Sequence, residues 1–171
     1  MKKVFYLCLM LASIITNTGC LKDDPYTAYA DGEPLITVPN SNWPVMQQQP
    51  DDSLFSASAA KDTLLLYVEF SWNKTKDGEL KVTFQKDSSL IADFNSKWRT
   101  NYIELPADKY QAPNLTAIIP AHSRRASIPI VVFPNTMNIS NNYMLAYTVV
   151  DAQGIVIAST YKSMLFPMKA Q

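Results

Sequence analysis

The chain has 171 residues, 47% of them hydrophobic, and carries 15 basic against 15 acidic side chains. That length and composition exclude a wholly disordered chain and allow one domain with a core plus an appendage, while the absence of net charge excludes recognition of nucleic acid through bulk electrostatics. Glycine is scarce at 4 residues, proline is plentiful at 11, and Tyr, Val, Ile and Thr are frequent, a balance that favours strands over helices.

At the N-terminus, Lys2 and Lys3 precede an apolar run from Val4 to Ile15, and small residues lead to Cys20. These are the basic, apolar and cleavage regions of a signal peptide in order. The run is too short to remain as a bilayer-spanning helix. Cys8 lies inside the segment to be removed, so cleavage before Cys20 leaves one thiol at the first position and excludes an intrachain disulfide. Thr18-Gly19-Cys20 resembles a bacterial lipoprotein box, with Asn17 where Leu is most usual. Acyl chains on Cys20 would hold the protein to a membrane, each buried methylene contributing about 0.8 kcal/mol. Lys22-Asp23-Asp24 resembles the signal that sends such lipoproteins to the outer face of the outer membrane. The expected organisation is a signal peptide over 1–19, a lipidated Cys20 with an extended tether and lead-in strands over 20–60, and a folded domain over 61–171.

From Leu21 to Ala60, Pro25, Pro34, Pro39, Pro44 and Pro50 punctuate polar sequence, which tends to be extended. Leu35–Val38 and Leu54–Ser56 are short apolar pieces suited to the edge of a sheet. In TLLLYVEFSW, residues 63–72, Leu64, Leu66, Val68, Phe70 and Trp72 fall on one face and Leu65, Tyr67, Glu69 and Ser71 on the other. ELKVTFQ alternates in the same way, with Leu80, Val82 and Phe84 inward. The turn-rich NKTKDG between them predicts a β-hairpin.

KDSSLIADFNSKW breaks the alternation. Asp87 or Ser88 can cap a helix of one or two turns whose Leu90, Ile91 and Phe94 share a face, packed across an end of the sheets. Tyr102–Leu105 returns to extended structure and Pro106 ends it. LTAIIP and ASIPIVVF flank a turn at residues 121–125, and Pro129 marks an edge strand or an amide turned away from the ladder. YMLAYTVV and IVIASTY around Asp151–Gly154 predict a second hairpin that closes near Phe166. About seven or eight strands and one short helix, with no βαβ rhythm, predict an all-β fold: an immunoglobulin-like β-sandwich.

Phe94-Asn95 ahead of Tyr102, then Leu105-Pro106, Tyr110 and Ile118-Ile119-Pro120-Ala121, form a set of marks. Ile128, Ile130, Val132, Tyr143-Met144-Leu145 and Gly154 complete it. The stretch from Asp93 to Ala158 thereby resembles a family of uncharacterised N-terminal domains on surface lipoproteins of Bacteroidota, often adjoining glycoside hydrolases or glycan-binding modules. The resemblance implies a β-sandwich linked to glycan capture or adhesion. The family pattern has Gly after Pro-Ala, where this sequence has His122.

No catalytic constellation stands out. His122 is the single histidine, and adjacency to Ser123 does not supply a triad's geometry. One His without a thiol pair cannot build a zinc site, and the acidic pairs, Asp23-Asp24 and Asp51-Asp52, lie in the tether, whereas a glycosidase fixes two carboxylates across the scissile bond. Loop oxygens near Asp77, Glu79 or Asp151 leave calcium as an alternative. The expectation is therefore no enzyme and no cofactor. Aromatic faces offer sugars a flat apolar platform, and Trp72, Trp98 and Tyr102 are the candidate glycan-binding residues, with packing in the core as the competing role. Trp43 suits edge packing, and Arg124-Arg125 suits an acidic sugar or a solvated turn. Asp52-Ser53-Leu54 and Asp62-Thr63-Leu64 resemble O-glycosylation triplets of Bacteroidota. The function expected is a lipid-anchored outer-membrane protein facing the exterior that binds polysaccharide or assists an outer-membrane uptake complex. The alternative is a structural or adhesive subunit that pairs through its edge strands.

Overall fold

In a computed structural model, the described residues are 32–171 except 46 and 113, and they form one unit, Gly32–Gln171. The expected signal peptide, the expected lipidation site Cys20 and the expected export signal Lys22-Asp23-Asp24 lie outside the described residues. In chain order the elements are β1 (Leu35–Thr37), β2 (Ser53–Phe55), β3 (Asp62–Ser71), β4 (Leu80–Lys86), α1 (Ser89–Trp98), β5 (Ile103–Glu104), β6 (Tyr110–Gln111), β7 (Thr116–Ile119), β8 (Arg125–Val132), β9 (Tyr143–Asp151), β10 (Val156–Ile157) and β11 (Ser163–Ala170). One sheet has the order β10-β1-β3-β8-β6. The other has the order β2-β11-β9-β4-β7, with β5 beside β9. The β-sandwich with one helix stands, and the strands beyond the expected seven or eight are pieces of two or three residues.

Alternation makes the core. Leu64, Leu66, Val68 and Phe70 of β3 meet Leu80, Val82 and Phe84 of β4, joined by Ile128, Ile130 and Val132 of β8 and Leu145, Tyr147 and Val149 of β9. Each large apolar side chain buried there contributes roughly 1.5–3 kcal/mol relative to exposure. The segment expected as tether and lead-in strands supplies β1 and β2 to the sheets, at the two apolar pieces named for that role. β2 is an edge strand; β1 is not, because β10 pairs outside it.

Neither expected hairpin forms. β3 pairs with β1 and β8, whereas β4 pairs with β9 and β7, so residues 73–78 cross from one sheet to the other. A hairpin and an inter-sheet arch require the same inward alternation, and six residues readily span the roughly 10 Å between packed sheets. Likewise β9 pairs with β11, not with the segment right after Gly154, because β10 joins β1 in the opposite sheet. Pro129 lies in β8 between β3 and β6, yet β6 reaches only Val131 and Val132, so the missing N–H interrupts no ladder on that side.

The helix is longer than expected, and it lies on a sheet face, not across an end. Met144 and Ala146 of β9 and Leu165 of β11 point outward from the main core, and Ile91 and Phe94 of α1 cover them. Ser88 makes no side-chain capping bond; the Asp87 carboxylate instead accepts a bond of 2.6 Å from Ser89 Oγ. Arg99 ends the helix in the left-handed conformation at φ 55°. Asn95 then secures the exit: its Oδ1 accepts from the Tyr102 N–H at 2.9 Å and from Thr100 Oγ1 at 2.9 Å, and its Nδ2 donates to the Tyr102 carbonyl at 2.8 Å.

Candidate functional site

Two of the three aromatic candidates meet at α1. The Phe94 ring is 5.6 Å from that of Tyr102, 6.5 Å from that of Trp98 and 5.9 Å from that of Trp43, centroid to centroid. Phe94 and Tyr102 are buried; Trp43 and Trp98 are half-buried. Lys97 Nζ stands 5.1 Å from the Trp43 ring and 5.2 Å from the Trp98 ring, a cation–π arrangement with both, and donates to the Pro44 carbonyl at 3.1 Å. The Tyr102 hydroxyl donates to Asp52 Oδ1 at 2.6 Å. Burial, followed by that bond and the charge of Asp52, pushes its pKa from 10.0 up to about 12. One face of each indole in this cluster thus already has an occupant, the ammonium of Lys97, and the Tyr102 ring is buried.

Trp72 lies elsewhere, just past the end of β3, half-buried against the main core. Its carbonyl accepts a bond from Arg124 Nη1, and Arg124 Nη2 reaches the Asn73 carbonyl at 3.2 Å. Arg124 therefore fixes the start of the crossing between the sheets.

An open concave surface occurs on the outer face of β3 and β8. Tyr67 is paired with Ser127, and Glu69 with Arg125 one step along. β1 runs beside them only as far as Thr37, where the chain turns at Pro39-Asn40 and leaves the sheet, with the Val38 N–H donating to the Tyr161 carbonyl at 2.7 Å. The departure leaves a cleft of about 470 Å³ lined by Pro39, Asn40, Tyr67, Arg125, Ala126 and Ser127. Its size suits a small ligand, and its composition, one aromatic ring among amide, hydroxyl and guanidinium groups, suits a polyhydroxylated one. The Arg125 guanidinium lies 3.0 Å from the Glu69 carboxylate, so donor and acceptor are held side by side as vicinal hydroxyls require.

Tyr67 is one of the nine tyrosines but not one of the three aromatic candidates singled out in the sequence. Its signal was present in the sequence: it is the aromatic residue on the outward side of a strongly alternating strand, where the inward positions already supply the core.

His122 is exposed, with Nδ1 3.9 Å from Asp77 Oδ1, a separation beyond hydrogen bonding. Among the described residues, no three or more His, Cys, Asp or Glu side chains gather as metal ligands. No helix among them is long and apolar enough to cross a membrane. Of the glycosylation triplets, Thr63 is exposed on β3 and Ser53 is half-buried in β2.

A family model, that of an N-terminal domain, matches residues 38–156. No curated protein matches the chain in sequence. Among solved structures, a candidate carbohydrate-binding protein from Bacteroides ovatus is similar with a TM-score of 0.60 at 16% identity, over 80% of this chain and 37% of that one. A two-domain protein of unknown function from Bacteroides fragilis gives 0.56 at 15% identity, over 81% and 46%. The Bacteroides protein EndoBT-3987, solved with a Man5GlcNAc product, gives 0.55 at 13% identity, over 70% and 28%. At these identities the likeness is one of fold, and the chain spans less than half the length of each of the three.

Proposed function

The chain belongs to this family of N-terminal domains, and on that premise we propose that it is a non-catalytic glycan-binding module, carried on the exterior of the outer membrane by acyl chains on Cys20, with Lys22-Asp23-Asp24 as the export signal. The observation that carries the binding reading is the Tyr67 cleft: a half-buried aromatic ring with Asn40, Ser127 and the Glu69–Arg125 pair around it. The C–H face of a pyranose packs on such a ring, and the surrounding donors and acceptors fix its orientation. The candidate carbohydrate-binding protein and EndoBT-3987 share the fold, which supports a role next to glycans.

A glycan array tests this reading, with Tyr67→Ala beside Trp72→Ala and Trp98→Ala. Binding lost on Tyr67→Ala and kept in Trp98→Ala supports the cleft. Loss only in the tryptophan variants moves the site to them, and no binding to any glycan by the folded wild type overturns the role. The anchor is tested by fatty-acid labelling of cells, where Cys20→Ala abolishes the label, and by protease shaving of intact cells, which removes an exterior protein.

One observation favours the alternative of a structural or adhesive subunit. β7 is an edge strand of the second sheet, and its Ile118 is half exposed, at 48%. An open edge accepts a strand from a partner. Cross-linking on cells that recovers only monomer counts against this reading.

A further inference from the structure

Beside the Tyr67 cleft lies a second hollow of about 560 Å³, lined by Glu69, Thr75, His122, Ser123, Arg124 and Arg125. Arg125 lines both, so the two hollows adjoin at its side chain, the second a shallow lobe open to solvent.

The charges in the second lobe do not cancel. Glu69 is matched by Arg125. Arg124 has no such counterpart in the lining: its guanidinium is held by the carbonyls of Trp72 and Asn73. Carbonyls satisfy N–H groups and fix their direction but leave the positive charge in place. A cation is thus immobilised in a lobe that also offers the hydroxyls of Thr75 and Ser123. Such a pre-positioned guanidinium is suited to oxyanions. Asp77, the nearby carboxylate, stands at the rim beside His122, with its side chain 99% exposed to solvent.

The backbone at His122 adds an independent observation. Its φ is 60°, the left-handed conformation, held by a bond of 2.8 Å from its N–H to the Lys76 carbonyl. Glycine adopts this conformation without steric cost, whereas a side chain does not. Non-glycine residues take this conformation at binding sites and also at helix ends, as Arg99 does; here it places the imidazole on the wall of the basic lobe.

We propose that the second lobe holds an anionic substituent, a carboxylate or a sulfate ester, of the same saccharide whose ring lies on Tyr67. The ligand class is therefore an acidic polysaccharide. The inference rests on the glycan-binding reading above and narrows it.

Affinity electrophoresis of the detergent-solubilised full-length protein tests it, with polygalacturonate, its methyl ester, chondroitin sulfate and neutral mannan as probes. The expected result is retardation by polygalacturonate or chondroitin sulfate that weakens steeply with salt, and none by the methyl ester. Retardation by chondroitin sulfate that is lost on its chemical desulfation assigns the sulfate, and retardation that survives desulfation, or retardation by polygalacturonate, assigns the carboxylate. Arg124→Gln lowers the affinity for the acid about tenfold and His122→Gly about threefold. Ser123→Glu, which puts a negative charge in the lobe without removing the Glu69–Arg125 pair, abolishes retardation by the acid and keeps the folded melting transition. Equal retardation by the acid and its ester, or by mannan alone, overturns the acidic inference and leaves the glycan-binding reading intact. Retardation by none of the four overturns the inference as well, and Tyr67→Ala on the glycan array then decides the wider reading. Unchanged acid binding in Ser123→Glu also overturns the inference.

Discussion

Asn42 directs both halves of its carboxamide at Leu165: Nδ2 donates to the Leu165 carbonyl at 2.6 Å, and Oδ1 accepts from the Leu165 N–H at 2.8 Å. A side chain here does the work of a strand. β2 pairs with β11 only along 168–170, and the flank it leaves is taken over by Ser41, whose Oγ donates to the Ser163 carbonyl at 2.8 Å, by Asn42, and by a bridge from Trp43 to Ser163. Leu165 is fully buried beneath Asn42, so truncation at Asn42 takes away the partner of both its N–H and its carbonyl. Asn42→Ala is expected to cost about 1–3 kcal/mol, read by urea denaturation. Asn42→Asp keeps the acceptor and replaces the donor with a charge facing a carbonyl, so it should cost at least as much. A loss below a few tenths of a kcal/mol in both variants would show that this tie is not needed.

His122→Gly removes a side chain from a left-handed position. Relief of the steric cost, offset by the freedom glycine has when unfolded, predicts a net gain of about 0.5–1 kcal/mol and a higher melting temperature. A lower melting temperature would mean that the imidazole contributes more contacts than the strain removes.

Tyr102 sets the alkaline limit of the α1 cluster. Its folded pKa of about 12 stands above the ordinary 10.0 because burial, and then the Asp52 carboxylate, oppose the phenolate. Below pH 10 the phenol is neutral whether the chain is folded or not, and its contribution is fully present. Between pH 10 and 12 the unfolded chain gives up the proton first, so stability falls. Tyr102→Phe should lose about 1 kcal/mol at neutral pH through the missing bond to Asp52, and its alkaline decline should be shallower. Melting curves taken from pH 8 to pH 11.5 would check this, and an unchanged alkaline slope would assign the decline to other groups.

Lys86 ends β4 and Glu104 ends β5, and their side chains form an ion pair. The bond from Lys86, with a second from Ser88, holds the Glu104 carboxyl below its ordinary 4.5, and the bond to Glu104 raises Lys86 above 10.5. The pair therefore contributes in full between those values. Its contribution is lost as pH falls through the depressed Glu104 pKa, and again as pH rises through that of Lys86. Both side chains are more than a third exposed, so solvent screening limits the effect to about 1 kcal/mol or less. Glu104→Gln should make stability flatter below pH 4.5; an identical acid limb would contradict the assignment.

The sequence disclosed which residues face inward far better than which strands lie side by side. Leu64, Leu66, Val68 and Phe70 are buried as their spacing requires, because a period of two holds in any sheet. The partner of β3 was not legible, since a turn-rich link such as residues 73–78 serves a hairpin or an arch equally well. The length of α1 was hidden because its burial depends on Met144, Ala146 and Leu165, residues that a strand pattern does not mark as a second apolar surface. The candidate site was legible in parts. Trp98 and Tyr102 were recognisable as aromatics in polar surroundings, but enclosure by Asp52 and Lys97 comes from tertiary structure. Tyr67 announced itself by lying on the outward face, and the concavity beside it arises only because β1 stops at Thr37.

Both sheets are stitched together by chain segments far apart in sequence. Leu35 pairs with Val156, and Ser53 with Met168. An emerging chain that lacks its final strands leaves β1 without its outer neighbour and β2 without any. Such non-local pairing delays folding until distant segments meet. The two sheets are therefore completed only when the last residues arrive, and clipping only β11 should disorder the N-terminal β2 as surely as the C-terminus itself.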